Sequence, residues 1–147
     1  GVWLTFLAFV LAVIFIVGAL QGKVRGTEIT VYKSPTCGCC KKWIDHLEDN
    51  GFSVDAVNLS DLSSLKDEHG IPEKAYACHT AIVDGYVVEG HVPAGDIKRM
   101  LTERPSIRGL AVPGMPAGSP GMEERYSDPY DVLALSDGGS VSVFSEH

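Results

Sequence analysis

Residues 1–22, GVWLTFLAFVLAVIFIVGALQG, carry no charged side chain, and from Trp3 to Leu20 every residue but Thr5 and Gly18 is apolar. About 18 to 20 such residues suffice to cross a bilayer. The stretch has no polar face, which argues against a helix packed by one side onto a soluble core. A secretory h-region is usually about 7 to 15 residues long and ends at small residues, and Val17-Gly18-Ala19 is a passable cleavage site. The expectation is export, with residues 1–22 a signal peptide or an N-terminal membrane anchor and residues 23–147 the domain it serves.

That second part, about 125 residues, is one ordinary domain's worth of chain. All 12 basic and 19 acidic residues lie in it, and the net charge of -7 argues against a nucleic-acid surface, which would normally need a clustered basic face. No internal repeat is present.

Three of the four cysteines fall at Cys37, Cys39 and Cys40, in VYKSPTCGCCKKWIDHL. They read either as a C-x-x-C dithiol or as a C-x-C-C metal clamp. Adjacent cysteines suit a structural staple poorly, and such short loops constrain little chain entropy. A chemical site is the better reading.

The surrounding pattern places them. EITVYKS alternates as a strand, Ser34-Pro35-Thr36 offers capping oxygens and a helix-compatible proline, and Cys40, Trp43, Ile44 and Leu47 recur at helical spacing up to Asn50-Gly51. FSVDAVNL predicts a second strand, SDLSSLKDEHGIP a short helix, TAIVDGYVVEGHV a hairpin about Asp84-Gly85, and PAGDIKRMLTERP a helix with Ile97, Met100 and Leu101 inward. The order is β-α-β-α-β-β-α. The cysteines thus lie at a strand-to-helix turn, where unpaired N–H groups and the helix dipole favour a thiolate, with Gly38 easing the turn.

Candidate ligands elsewhere follow donor by donor. LAVPGMPAGSPGMEE, punctuated by proline and glycine, reads as an extended surface segment carrying Met115 and Met122. Their thioethers are soft donors suited to Cu(I), or else they pack the loop onto the core. His91, in EGHVPAG, reads as an exposed capping or supporting residue or as a ligand, and His46, His69 and His147 as surface residues. YDVLALSDGGSVSVF predicts a further hairpin about residues 137–139, extending a sheet edge.

The β-α-β-α-β-β-α order with C-x-x-C at its first turn resembles the thioredoxin superfamily from Glu28 to Pro105. That resemblance puts His79 where the superfamily has its cis-proline, beside the dithiol, with Cys78 just before it. Histidine and cysteine there would bring four sulfurs and an imidazole together, which suits a soft metal better than a disulfide shuttle. The alternative for Cys78 is a small buried hydrophobe.

YKSPTCGCCKKW, ACHTAIVDGYVVEGHVPAGDIKRML and GLAVPGMPAGSPGME together resemble the small periplasmic metal-binding family of the copper-resistance protein CopG, unrelated to the ribbon-helix-helix repressor of that name. The resemblance implies an α/β, thioredoxin-like fold with a central mixed sheet flanked by helices and an extra C-terminal hairpin. It implies a periplasmic protein, free or anchored to the inner membrane by residues 3–20, that binds several copper ions and serves copper tolerance by interconverting Cu(I) and Cu(II), in contact with copper export or chaperone proteins. By that similarity Cys37, Cys39, Cys40 and Cys78 carry over as ligands, joined by His79, His91, Met115 and Met122. Two other chemistries stay open. A thiol-disulfide oxidoreductase needs only Cys37 and Cys40, and a structural zinc module needs four thiolates but leaves the methionines idle.

Overall fold

A computed structural model describes residues 26–147, so the expected signal peptide or anchor at residues 1–22 lies outside the described residues. Among the described residues no helix is long and apolar enough to cross a membrane. Strand β1 (Glu28–Lys33) alternates as expected, with Ile29 and Val31 fully buried. Helix α1 (Gly38–Asp49) buries Cys40, Trp43, Ile44 and Leu47, the stripe its spacing predicts, and Asn50 caps it before Gly51 at φ +90°.

The remaining elements keep the predicted order. Strand β2 (Ser53–Asn58) lies parallel to β1 and forms one edge of the sheet. A short helix α2 (Ser63–Glu68) and a 3-10 turn at Glu73–Ala75 lead into β3 (His79–Val83), antiparallel to β1. Asp84 and Gly85 then take positive φ, as a two-residue hairpin turn demands, and return the chain as β4 (Tyr86–Gly90). Helix α3 (Ala94–Glu103) buries Ile97 and Met100, while Leu101 is only half-buried.

One expectation fails at this point. Leu110-Ala111-Val112 was read with the surface segment that follows it, but Gly109–Val112 is β5, a buried strand parallel to β4. A strand buried on both faces shows no alternation, and β5 has four residues before proline and glycine begin. Strands β6 (Asp131–Leu135) and β7 (Val141–Glu146) form the expected hairpin and extend the sheet beyond β5. The mixed seven-stranded sheet runs β2-β1-β3-β4-β5-β6-β7.

Each face of the sheet has its own core. Ile29, Val31, Ala81, Val83 and Val88 meet Trp43, Leu47, Ile97 and Met100 on one side. Val87, Ala111 and Leu135 meet Ile71 and Ala75 on the other. Fully burying one large apolar side chain contributes about 1.5–3 kcal/mol, so Trp43 and its neighbours anchor α1 firmly, and the Trp43 indole N–H donates to the Val92 carbonyl at 2.8 Å. Period-2 alternation then decides the site. In β3, His79 points to the side of α1 and Thr80 to the side of α2.

Candidate metal centre

The turn from β1 into α1 is closed by sulfur where hydroxyls were expected. Cys37 is the N-cap of α1, and its Sγ accepts the Cys40 backbone N–H at 3.3 Å. Ser34 contributes its carbonyl to the Cys37 N–H, and its hydroxyl meets that of Thr36 instead of the helix. Gly38 proves dispensable to the turn, since a Cβ there would meet nothing within 4 Å. Cys37 and Cys40 are joined as a disulfide, while Cys39 and Cys78 are free thiols.

Cys78, immediately before β3, arrives from the strand next to β1. Its Sγ lies 3.9 Å from that of Cys39 and 3.7 Å from that of Cys40, and Cys39 Sγ lies 3.5 Å from Cys37 Sγ. The four sulfurs all fall within 4.8 Å of one another. A second group, Cys78, His79 and His91, meets the same criterion of closeness, so Cys78 belongs to both. Its sulfur is 3.3 Å from His79 Nδ1 and 3.1 Å from His91 Nε2. Burial, then the neighbouring Cys39, pushes the Cys78 thiol up to about 12, so without metal it keeps its proton.

The histidines are the least exposed part of the site. His79 is fully buried, its ring 4.3 Å from that of Trp43 and 5.0 Å from that of His91. Burial, with His91 close by, lowers its pKa to about 3. Its Nε2 is buried without a hydrogen-bond partner, an unusual state for a polar atom. His91, read as an exposed capping or supporting residue or as a ligand, is fully buried. Gly90 ends β4 at φ +75°, where a Cβ would fall 2.5 Å from that of Ala77 and 2.6 Å from the Val112 carbonyl oxygen. The chain leaves regular strand geometry there, and His91 turns onto Cys78. Its Nδ1 lies 2.7 Å from the Pro120 carbonyl, which only accepts, so Nδ1 carries the proton and the Nε2 lone pair faces Cys78.

The proline-glycine segment lies over the site, as a cap should, but its two methionines part company. Met115 is 51% exposed and its Sδ accepts from the Cys39 thiol at 3.9 Å. Met122 bonds through its backbone to Ser119 and Gly118, and among the described residues no hydrogen bond joins its sulfur to the cluster. The middle of the segment is less superficial than expected. Ser119, Pro120 and Gly121 are buried, and at Gly121 (φ +87°) a Cβ would press on Cys39 O, Trp43 N and His91 Nδ1. Only glycine allows so close an approach. His46, read as a surface residue, is half-buried and its Nε2 accepts the Ala94 N–H that opens α3.

Sequence reasoning passed over Lys66 and Glu89, a buried ion pair on the α2 side of Cys78. The available signal was one carboxylate inside the otherwise apolar YVVEG strand, every residue of which is buried. The donor set fits a soft cation. Sulfurs and neutral imidazoles converge, one imidazole nitrogen lacks a partner, and a thioether stands over the half-buried Cys39 thiol.

A family profile described as a protein of unknown function, DUF411, matches residues 75–122, the stretch that carries Cys78, His79, His91, Met115 and Met122. Two solved structures, forms 1 and 2 of a copper resistance protein CopG, are each 48% identical to this chain and cover 83% of it and 98% of their own length, with TM-scores of 0.78 and 0.79. No curated protein matches.

Proposed function

The chain belongs to the family of the copper resistance protein CopG, and from that premise we propose that it binds copper on its sulfur cluster in the service of copper tolerance. Cys37, Cys39, Cys40 and Cys78 hold the metal. His79 and His91 supply imidazole nitrogens from the buried side, and Met115 supplies a thioether from the exposed side. Met122 shapes the covering segment. The observation that carries the reading is the position of Cys78, within 3.9 Å of the Cys39 and Cys40 sulfurs and 3.1 Å from His91 Nε2. Four bridging-capable sulfurs in this space favour more than one ion per chain.

The cargo is Cu(I), with interconversion to Cu(II) as part of the role. Closing Cys37 and Cys40 into a disulfide releases two electrons and two protons, so one such pair would reduce two Cu(II) to two Cu(I). We place the work in the periplasm, on an exported chain that exchanges copper with export or chaperone proteins. The observed Cys37–Cys40 disulfide favours a second reading, a thiol-disulfide oxidoreductase. A shuttle of that kind has no use for a sulfur from the facing strand or for a thioether over Cys39.

Metal analysis after anaerobic loading with copper and zinc together separates the readings. Copper in excess of one ion per chain is expected. Zinc alone, at one per chain, would make this a structural zinc module. Neither metal, with insulin reductase activity dependent on Cys37 and Cys40, would make it an oxidoreductase.

A further inference from the structure

Ladder pairing of β3 begins at His79, opposite Lys33, and at Thr80, opposite Glu89. Ala77 and Cys78 therefore sit just outside the sheet, and the peptide groups of Ala77 need partners from elsewhere. They find them in two side chains. Glu89 Oε1 accepts the Ala77 N–H at 2.8 Å, and the Lys66 ammonium donates to the Ala77 carbonyl at 3.2 Å. On the other flank, the Thr80 hydroxyl donates to Glu89 Oε2 at 2.6 Å and accepts from Lys66 at 3.0 Å. Lys66 and Glu89 also bond directly to each other. Cys78 and His79 are thus held from both ends by one ion pair, and Ala77 is pressed against Gly90, where no Cβ would fit.

This pair is costly to bury, with Glu89 fully shielded and Lys66 only 6% exposed. Replacing a buried ion pair with apolar residues of similar volume is often neutral or stabilising, so fold stability alone is a poor reason to keep it. Its bonds converge on the residues beside Cys78 and His79, and Cys78 is the atom through which the two ligand groups meet. We propose that Lys66 and Glu89 are positioning residues of the metal centre, fixing Cys78 Sγ opposite Cys39, Cys40 and His91. Neither is hydrogen-bonded to a sulfur, and their bonds reach the site through the Ala77–Thr80 segment. The metal arm of this inference rests on the copper reading of the site, whereas the thiol arm does not.

Two paired variants separate positioning from bulk stability. Lys66→Met/Glu89→Leu removes every side-chain bond from this pair to Ala77 and Thr80. Lys66→Met/Glu89→Gln removes the charges and keeps an acceptor for the Ala77 N–H. The first should melt below the parent, because the Ala77 peptide groups and the Thr80 hydroxyl lose their partners, and should lose about tenfold to a hundredfold in Cu(I) affinity against a chelator, as loss of a residue supporting a ligand typically does. The second should recover most of that loss. The copper-free readout uses Cys39→Ser with the Cys37–Cys40 disulfide closed, in which Cys78 is the one free thiol of the four cysteines. Its alkylation by iodoacetamide should quicken several-fold with the Leu pair and return toward the parent rate with the Gln pair. Should the Leu pair fail to fold, Thr80→Val in the same background removes one flank's bonds, and a faster alkylation is again expected. Alkylation and Cu(I) affinity unchanged in the Leu pair, or alkylation unchanged in Thr80→Val, would overturn the inference. A parent protein that takes up no copper would defeat the copper reading instead, and the alkylation rates would still decide this one.

Discussion

The candidate metal centre has two halves built by different physics. Cys37, Cys39 and Cys40 come from one turn, and their spacing is fixed by the cap of α1 and by the Trp43 stripe that docks the helix. Cys78, His79 and His91 come from two strand ends, and their placement needs sheet register, the break at Gly90 and the Lys66–Glu89 pair. The local half carries the Cys37–Cys40 disulfide and can change redox state. The long-range half bears both imidazoles, fully buried, with Cys78 half-buried against them. Proximity in sequence therefore supplies the reactive sulfurs, whereas topology supplies the fixed wall against which they close.

The sharpest way to break this comparison is to remove the atom shared by both halves. Cys78→Ser should cut Cu(I) affinity by more than the roughly tenfold to hundredfold that supporting residues command. Cys39→Ser should cost several-fold, with an unchanged circular dichroism spectrum. Equal losses in chelator competition would erase the distinction between the halves.

Next in size is the redox state of the local half. With the Cys37–Cys40 disulfide closed, only Cys39 and Cys78 remain as thiols. Protein loaded without reductant should carry fewer copper ions per chain than protein reduced first, and adding reductant should restore the difference. A metal content indifferent to reductant would show that Cys37 and Cys40 are not ligands.

These halves were also unequally legible. C-x-C-C at a strand-to-helix turn and the stripe Cys40, Trp43, Ile44, Leu47 are local patterns, and both held. Cys78-His79 was reached only through resemblance, because nothing near ACHT announces which strand it will face. His91 looked like a loop residue in EGHVPAG, since the positive φ of Gly90 and the Pro120 carbonyl that fix it are tertiary facts. Leu110–Val112 was lost to the glycine and proline that follow it. Glu89 left a faint trace as the one carboxylate in YVVEG, but Lys66 left none, because a buried charge is recognised by its partner and these partners lie on α2 and β4.

A smaller effect distinguishes the two methionines of the covering segment. Met115→Leu should lower Cu(I) affinity or shift the copper potential, because its sulfur stands on Cys39. Met122→Leu should do neither. Both swaps nearly conserve volume and should cost less than about 1.5 kcal/mol in stability, so thermal melting of the metal-free proteins serves as the control. Identical behaviour of the two variants would remove the thioether from the site.

Smallest is a pH effect confined to the buried half. His79 has a folded pKa of about 3, below its ordinary value of about 6.5. Its burial as a neutral ring contributes stability that is fully present above that ordinary value and is lost as pH falls toward the folded one. Metal-free protein should therefore weaken between about pH 7 and pH 5, and His79→Gln should show a shallower slope in denaturant titrations across that range. Parallel slopes would mean that other groups govern the acid response.

The central claim is that copper sits on the sulfurs where the two halves meet. X-ray absorption at the copper edge, on protein loaded anaerobically after reduction, tests it directly. A first shell dominated by sulfur, with a lesser nitrogen contribution and a loss of sulfur scattering in Cys78→Ser, is the predicted result. A shell of nitrogen and oxygen alone, unchanged by that substitution, would contradict the account.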